Sequence, residues 1–142
     1  MDQTIPSGAY VDPYQIEEYQ RANKIPHKIQ IIGDVDIEAA QPNAGDHRVI
    51  VFFNESAMEF KDKLNIEFPF HLRYHSAKSG GGSVVVNLKH PMLLVRCNGM
   101  MPTDIVKAPC CYMCDYCDWN IIQSLKVESS LLSKLFVMKS PL

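Results

Sequence analysis

The sequence predicts an all-β fold, an antiparallel, β-sandwich-like domain with one short helix and a cysteine-rich loop. Apolar and polar side chains alternate between residues 68 and 75, and a period of two sends them to opposite faces of a strand. Two short apolar runs, 84–86 and 92–95, follow after short connections, which is typical of antiparallel sheets. The apolar set of the first stretch is Phe68, Phe70, Leu72 and Tyr74, and the polar set is Pro69, His71, Arg73 and His75.

Length and composition favour a single domain over residues 1–142. A chain of 142 residues with 46% hydrophobic content can enclose one core but not two comfortable ones. Fourteen Lys and Arg residues against sixteen Asp and Glu residues give a formal charge of −2, without a basic cluster. We therefore expect no nucleic-acid partner. No apolar stretch approaches the length of about 20 residues that a membrane-spanning helix needs.

The predicted helix lies near the start of the chain. Asp12 is a favourable N-cap, Pro13 suits the first helical position, and Gln15 stands three residues after the cap. The helix is expected to end near Asn23, because Pro26 disfavours helical backbone at the residue before it.

Strands are predicted on both sides of a loop at residues 41–46. Residues 28–32 and 35–37 are expected to form one interrupted strand, with Gly33 as a bulge or turn. The run 48–53 is β-branched and aromatic, so it is predicted to be a strand.

The second half of the chain is less regular. The glycine-rich segment 79–83 leads into a strand and not into a helix, which predicts a hairpin connection and argues against a phosphate-binding loop. Residues 97–118 are rich in Met, Pro and Cys and are expected to form a long loop that needs covalent or packing restraint. Strands are expected at 119–127 and 131–138, although the second run would equally suit a helix.

The polar side chains of the stretch 68–75 are candidates for contact with a partner. His71 and His75 would form a metal-binding pair on a helix, but on a strand they stand roughly 13 Å apart. His71 and Arg73 share a face and can accept an anion or a carboxylate. The predicted interface candidates are His71, Arg73 and His75, together with the aromatic Tyr10 and Tyr14.

A pair of carboxylates offers an alternative function. Asp34 and Asp36 resemble the Asp-x-Asp element with which some sugar transferases hold a divalent cation. A β-rich chain of this length is a poor source of the nucleotide-binding α/β domain that such enzymes use. A solvated turn is therefore the preferred interpretation, and a small metal-dependent glycosyl-transfer enzyme is the less favoured alternative.

Four of the five cysteines stand within the eight residues 110–117. Zinc prefers well-separated ligand pairs, so a disulfide network that includes Cys97 is favoured, while a zinc-stabilised β-rich interaction module stays open as an alternative. No nearby histidine and acid stand out as partners for a catalytic thiol. Neither reading assigns a catalytic residue.

One triplet fits the N-glycosylation rule. Asn54-Glu55-Ser56 has no proline in the middle and follows a predicted strand, where a surface position is expected. Asn54 is therefore a candidate glycosylation site if the domain is exposed to the lumen of the endoplasmic reticulum.

Several stretches, in chain order, are similar to the PIG-X family of glycosylphosphatidylinositol (GPI) anchor synthesis. The block at residues 5–14 and the strand at 69–75 are the most specific. The remaining similar stretches are 36–39, 84–87, 108–110 and 117–120.

The resemblance implies a luminal, β-rich domain of an endoplasmic reticulum membrane protein. Family members are non-catalytic subunits that stabilise the multi-span mannosyltransferase adding the first mannose to the anchor precursor, so neither a cofactor nor a metal is expected. The family pattern also includes an N-terminal signal region and a C-terminal membrane helix. Both are expected to lie outside residues 1–142.

The resemblance also bears on the cysteines. Cys97, Cys110 and Cys117 match family cysteines and are the disulfide candidates, whereas Cys111 and Cys114 are additional. An oxidising lumen favours disulfides over zinc.

Overall fold

The structure, a computed structural model, describes residues 1–53, 66–77, 79–96, 99 and 104–122, and the backbone of 136–139. Most of the described elements are strands in antiparallel sheets, with one α-helix, which confirms the predicted fold class. Within this part of the chain, no helix is both long and apolar enough to cross a lipid bilayer.

The elements follow one another in an order that begins with two short strands not predicted from the sequence. The strands are β1 (Asp2–Ile5), β2 (Ala9–Tyr10), β3 (Lys28–Ile32), β4 (His47–Phe52), β5 (His71–Leu72), β6 (Ser83–Val86), β7 (Leu93–Val95), β8 (Ile105–Pro109), β9 (Tyr116–Ile122) and β10 (Phe136–Lys139). The helices are α1 (Pro13–Arg21) and a 3₁₀ turn (Gln41–Asn43).

The helix α1 forms as the sequence predicts. The Asp12 carboxylate accepts hydrogen bonds from the backbone N–H groups of Tyr14 (2.9 Å) and Gln15 (3.3 Å), which would otherwise lack partners at the helix start. The helix ends at Arg21 and buries Ile16 against the core.

A central sheet in the order β1-β4-β3 carries the core. Alternation along β4 gives this sheet two faces. The helix-side face is formed by Ile5, Ile29, Val49 and Val51, and the hairpin-side face by Lys28, Gln30, Ile50 and Phe52.

The helix-side face packs into the main hydrophobic cluster. Ile16 from α1, Ala9 and Val11 from the β2 region, and Val86 from β6 close over it, all less than one tenth exposed. Phe68, Phe70 and Leu72 pack at the margin of this cluster, as their alternation predicts. The strand β5 is thereby held against the core, where it pairs with β2.

The hairpin-side face is covered by a second sheet in the order β7-β9-β8. The two sheets are joined where Asp2 and Met92 exchange two backbone hydrogen bonds of 2.8 Å. Above the face, the Tyr112 ring meets Phe52 edge-on at 6.4 Å, and the Met113 N–H donates to Gln30 Oε1 at 2.9 Å. The central sheet is therefore covered on both faces, as in a sandwich. An apolar cleft of about 110 Å³ between the sheets is lined by Met1, Ile50, Phe52, Phe53, Leu94 and Trp119, among others.

The predicted strand 68–75 is much shorter than expected. Only His71–Leu72 is paired, because its partner β2 has two residues and Pro69 has no N–H to donate to a ladder. The predicted faces also exchange after Leu72: Arg73 is buried and Tyr74 is 74% exposed.

The prediction for residues 28–37 is half right. The strand 28–32 and the turn at Gly33, whose φ is +114°, are confirmed. Residues 35–37 are not a strand, because the Asp36 side chain accepts from the Glu38 N–H at 2.9 Å and so favours a turn.

The prediction of a long loop at 97–118 is wrong for the second half of that range. Residues 105–109 form β8, which pairs with β9 through Ala108 and Cys117, and a tight turn joins the two strands. The described part of the predicted strand 119–127 lies in β9, whereas its continuation beyond Ile122 lies outside the described residues.

Candidate interaction surface

The interface candidates meet where α1 and the β2–β5 ribbon lie side by side. Tyr10 and His71 are register partners in the ribbon, and their rings stack with centres 5.1 Å apart and planes 25° from parallel. The side chain of Gln15 reaches from α1 to His71, with 2.9 Å between Oε1 and Nε2. Helix and ribbon therefore present one continuous patch.

Arg73 lies beneath this patch and not on it. It is 3% exposed, and its Nη1 donates to the carbonyl oxygens of Asp36 (2.5 Å) and Ala39 (2.8 Å). The guanidinium also lies over the Tyr10 ring. Sequence alternation placed Arg73 on the solvent face, but a buried guanidinium needs acceptors, and the loop at 36–39 supplies them. In this arrangement Arg73 supports the patch from inside.

Two exposed tyrosines are chain neighbours of residues in this region: Tyr14 precedes Gln15, and Tyr74 follows Arg73. Tyr14, in the first turn of α1, is 72% exposed, and Tyr74, just after β5, is 74% exposed. The backbone of Tyr74 is fixed because its carbonyl oxygen accepts from the Gln41 N–H at 2.8 Å. We name Tyr10, Tyr14, His71 and Tyr74 the ribbon surface. Tyr74 was assigned to the core by alternation, and its exposure follows from the inward turn of Arg73.

His75 is set back from the ribbon surface. It is partly buried, and its Nε2 has no hydrogen-bond partner among the described residues. The ring lies near Gly8, since a Cβ on that glycine would stand 3.4 Å from His75 Cε1. Of the five predicted interface residues, Tyr10 and His71 are stacked together, Tyr14 is exposed in the adjoining helix, and Arg73 and His75 are set back.

A buried histidine that the sequence interpretation did not single out supports the same region. His47 is 3% exposed, and its Nε2 accepts from the Val11 N–H at 3.2 Å, which requires the neutral ring with the proton on Nδ1. Burial and the nearby positive charge of Arg73 lower the pKa of His47, and Asp46 opposes them. The signal in the sequence is that His47 is in phase with Val49 and Val51 along β4.

The carboxylates considered for metal binding are arranged as a turn. Asp34 and Asp36 are exposed, and one oxygen of Asp36 accepts from the Glu38 N–H. Within the described part of the chain, no group of three or more His, Cys, Asp or Glu side chains is placed to hold a metal ion.

The cysteine-rich turn between β8 and β9 contains two disulfides. Cys110 is joined to Cys117 and Cys111 to Cys114, with Cα–Cα distances of 5.3 and 5.1 Å, within the usual range for disulfides. The second pair joins the two cysteines that have no counterpart in the resemblance to PIG-X. Cys97 and Asn54 lie outside the described residues, so the disulfide and glycosylation predictions for them stay predictions.

The turn also carries a second exposed apolar patch, which the sequence interpretation missed. Tyr112 is 42% exposed, Met113 73% and Tyr116 52%. Because these residues were assigned to a long loop, their common position at the tip of a hairpin could not be inferred. The Cys-rich spacing around them was the available signal.

Comparison with known proteins identifies one family. The family model described as PIG-X / PBN1 matches residues 1–123. The human protein named "GPI alpha-1,4-mannosyltransferase I, stabilizing subunit" is 28% identical over 137 residues, which cover 92% of this chain and 52% of the human protein. The rat protein of the same name is 25% identical over 134 residues, covering 89% and 52%. The chain thus spans about half the length of these curated relatives. No solved structure matches.

Proposed function

Because the chain belongs to the PIG-X / PBN1 family, we propose that it is a non-catalytic subunit that binds and stabilises the catalytic subunit of GPI mannosyltransferase I. The observation that carries the proposal is the match over residues 1–123 to a family whose curated relatives are named as stabilising subunits. The partner would be a multi-span membrane protein that adds the first mannose to the GPI-anchor precursor.

The proposed setting is the lumen of the endoplasmic reticulum, with membrane attachment through a C-terminal helix beyond residue 142. Two disulfides in the turn between β8 and β9 fit an oxidising compartment, since structural disulfides are rare in the cytosol. Glycosylation at Asn54 would fit the same compartment.

The ribbon surface is the proposed contact with the catalytic subunit. Exposed tyrosines on a rigid framework suit an interface, because they bury a large area and lose little conformational entropy on binding. Two contacts hold this framework in place: the buried Arg73 donates to the carbonyl oxygen of Ala39, and Gln15 is hydrogen-bonded to His71. A surface of this kind needs little rearrangement to bind.

The test uses the full-length protein in cells that lack their own copy. Wild type should restore the steady-state level of the catalytic subunit and the display of GPI-anchored proteins. A Tyr14→Ala, Tyr74→Ala double variant should fold normally but co-precipitate the catalytic subunit more weakly by at least about 30-fold, the effect of losing one interface hot spot of 2 kcal/mol. Tyr116→Ala is the matched control, since it removes an exposed tyrosine from the opposite sheet.

Two outcomes would count against the proposal in different ways. If cells without the protein keep a normal level of the catalytic subunit, the stabilising function is wrong. If Tyr116→Ala weakens the association and the ribbon double variant does not, the function stands but the contact lies on the hairpin.

A further inference from the structure

The two disulfides of the β8–β9 turn differ in position. Cys110–Cys117 links the ends of the two strands, and we call it the crosslink disulfide. Cys111–Cys114 lies within the turn, and we call it the turn disulfide. We infer that the turn disulfide is a thiol–disulfide exchange site for dithiols, including dithiol oxidoreductases, while the crosslink disulfide is the permanent structural one. This inference goes beyond the proposed function and does not depend on it.

The turn disulfide is the more accessible of the two. Cys111 is exposed at the tip of the hairpin, whereas Cys114, Cys110 and Cys117 are partly buried. The two residues between Cys111 and Cys114 are 42% and 73% exposed. The crosslink disulfide is partly buried beside Pro109, which is less than 2% exposed. The Arg96 guanidinium lies beside the Cys117 sulfur, with Nη1 2.6 Å from Sγ. An attacking thiolate therefore meets the turn disulfide first.

The fold also depends less on the turn disulfide. Its ring spans a sequence separation of three residues against seven for the crosslink, and shorter rings restrict the unfolded chain less. The turn has its own backbone hydrogen bonds, from Cys114 N to Cys111 O (3.1 Å) and from Cys110 N to Asp115 O (2.8 Å). These bonds keep Cys111 and Cys114 adjacent after reduction, which allows the pair to close again.

The exchange is a two-electron reaction. A thiolate of the dithiol attacks Sγ of Cys111, a mixed disulfide forms, the Cys111–Cys114 bond breaks, and the electron pair leaves on Cys114, which takes a proton from water. The second thiolate of the reductant then attacks the reductant's first sulfur, which is bonded to Cys111 in the mixed disulfide. This releases Cys111 as a thiolate, which is protonated in turn. The reductant ends as a disulfide and the cysteine pair as a dithiol. The Cys114 thiol has an acceptor nearby, because its Sγ lies 3.7 Å from the carbonyl oxygen of Tyr112.

Exchange at this site is coupled to the contact between the two sheets. Tyr112 and Met113 stand inside the ring of the turn disulfide and are the residues that touch Phe52 and Gln30 on the hairpin-side face. Met113 has a φ of +60°, a left-handed conformation that few side chains favour and that the closed ring helps to hold. Reduction of the turn disulfide therefore weakens the contact of Tyr112 and Met113 with the hairpin-side face.

The experiment is a stepwise reduction of the purified protein with dithiothreitol at pH 7, quenched by alkylation and read by fragmentation mass spectrometry. Cys111 and Cys114 should be alkylated at a dithiothreitol concentration at least tenfold below that which opens Cys110–Cys117. Joint reduction of both disulfides, earlier reduction of Cys110–Cys117, or a disulfide from Cys97 to any of the four cysteines would overturn the inference.

Serine variants provide the second readout. Cys114→Ser should leave Cys111 as a thiol that takes up one glutathione from oxidised glutathione, because the exchange reaction then stops at the mixed disulfide. The double variant Cys111→Ser, Cys114→Ser should keep the fold and the crosslink disulfide, whereas Cys110→Ser, Cys117→Ser should lower the melting temperature. Failure of Cys111 to form the adduct in folded protein would also contradict the inference.

Discussion

The guanidinium carbon of Arg73 lies 4.7 Å from the centre of the Tyr10 ring, so a buried cation supports an aromatic residue of the ribbon surface. Cation–π contacts gain strength when they are removed from water. The same guanidinium donates to two carbonyl oxygens of the loop at 36–39, which joins that loop to the ribbon. Arg73 is therefore the residue on which the shape of this region depends.

Replacing Arg73 by methionine should destabilise the domain. The change leaves the carbonyl oxygens of Asp36 and Ala39 without their donor and removes the contact with Tyr10. We expect the free energy of unfolding to fall by about 2–4 kcal/mol, measured by urea denaturation, since hydrogen bonds to charged groups contribute about 1.5–3 kcal/mol.

Arg21→Met is the control for that change. Arg21 forms an exposed i,i+4 ion pair with Glu17 at 3.2 Å, for which at most about 0.5 kcal/mol is expected. Equal losses in the two variants would show that Arg73 has no special structural role.

Adding a methyl group at Gly8 should create a steric conflict in the core. A Cβ at this position would stand 2.9 Å from Cγ2 of Val86, closer than carbon atoms pack. Gly8→Ala should therefore lower the free energy of unfolding by about 1–3 kcal/mol. Combining it with Val86→Ala should cost less than the sum of the two single changes, because the smaller residue makes room. Gly45→Ala, where a Cβ meets nothing within 4 Å, should have little effect, and additive costs in the double variant would contradict the packing explanation.

The ion pair between Asp2 and Arg48 should contribute more than a surface pair. Asp2 is 1% exposed, and its hydrogen bonds raise the pKa of Arg48 above its ordinary value. Asp2→Asn should cost about 2–4 kcal/mol because a partly buried guanidinium loses its counter-charge. A double-mutant cycle with Arg48→Met should yield a coupling energy above 1 kcal/mol.

The exposed pair between Lys107 and Asp118, 2.8 Å apart, is the comparison for this cycle. Its coupling energy should lie below about 1 kcal/mol and fall further in 1 M salt. A similar coupling energy in both cycles would mean that burial does not strengthen the Asp2–Arg48 pair.

Acidification should destabilise the fold through His47. Its pKa is lowered in the folded state, so below pH 6.5 the unfolded chain binds a proton that the folded chain does not. The contribution of His47 to the free energy of unfolding is therefore fully present above about pH 6.5. It is lost as the pH falls from there toward the folded-state pKa.

The variant His47→Gln isolates this contribution. Between pH 7 and pH 5 it should lose less unfolding free energy than wild type, because the glutamine side chain has no proton to bind in this range. Urea denaturation at several pH values measures the difference. Parallel pH profiles for the two proteins would exclude His47 as the source.

Local patterns in the sequence predicted the elements whose signals are contained in a few residues. The cap at Asp12, the β-branched run of β4 and the turn at Gly33 all formed as expected. Each of these is decided by neighbouring residues, through a side-chain cap, a side-chain preference for strands or a positive φ.

The predictions that were wrong concern features that depend on residues far away in the sequence. The length of β5 is set by the two residues of β2, about 60 positions earlier, and the burial of Arg73 is set by carbonyl oxygens of the loop at 36–39. The hairpin of β8 and β9 was not predicted, because the Cys and Met content of this segment is typical of irregular structure. Family resemblance identified the region of Cys110 and Cys117, but the pairing of Cys111 with Cys114 had no signal beyond their spacing.

The position of β4 between two layers has a consequence for the synthesis of the chain. Its hairpin-side residues Ile50 and Phe52 face the sheet of β7, β9 and β8, whose residues from Leu94 to Trp119 follow them by 40 positions or more in the chain. A ribosome adds about 5–20 residues per second, so these side chains stay uncovered for several seconds after they are made. During this interval the nascent chain presents one uncovered face of its central sheet, and the two disulfides described above can form only after the β8–β9 hairpin has emerged.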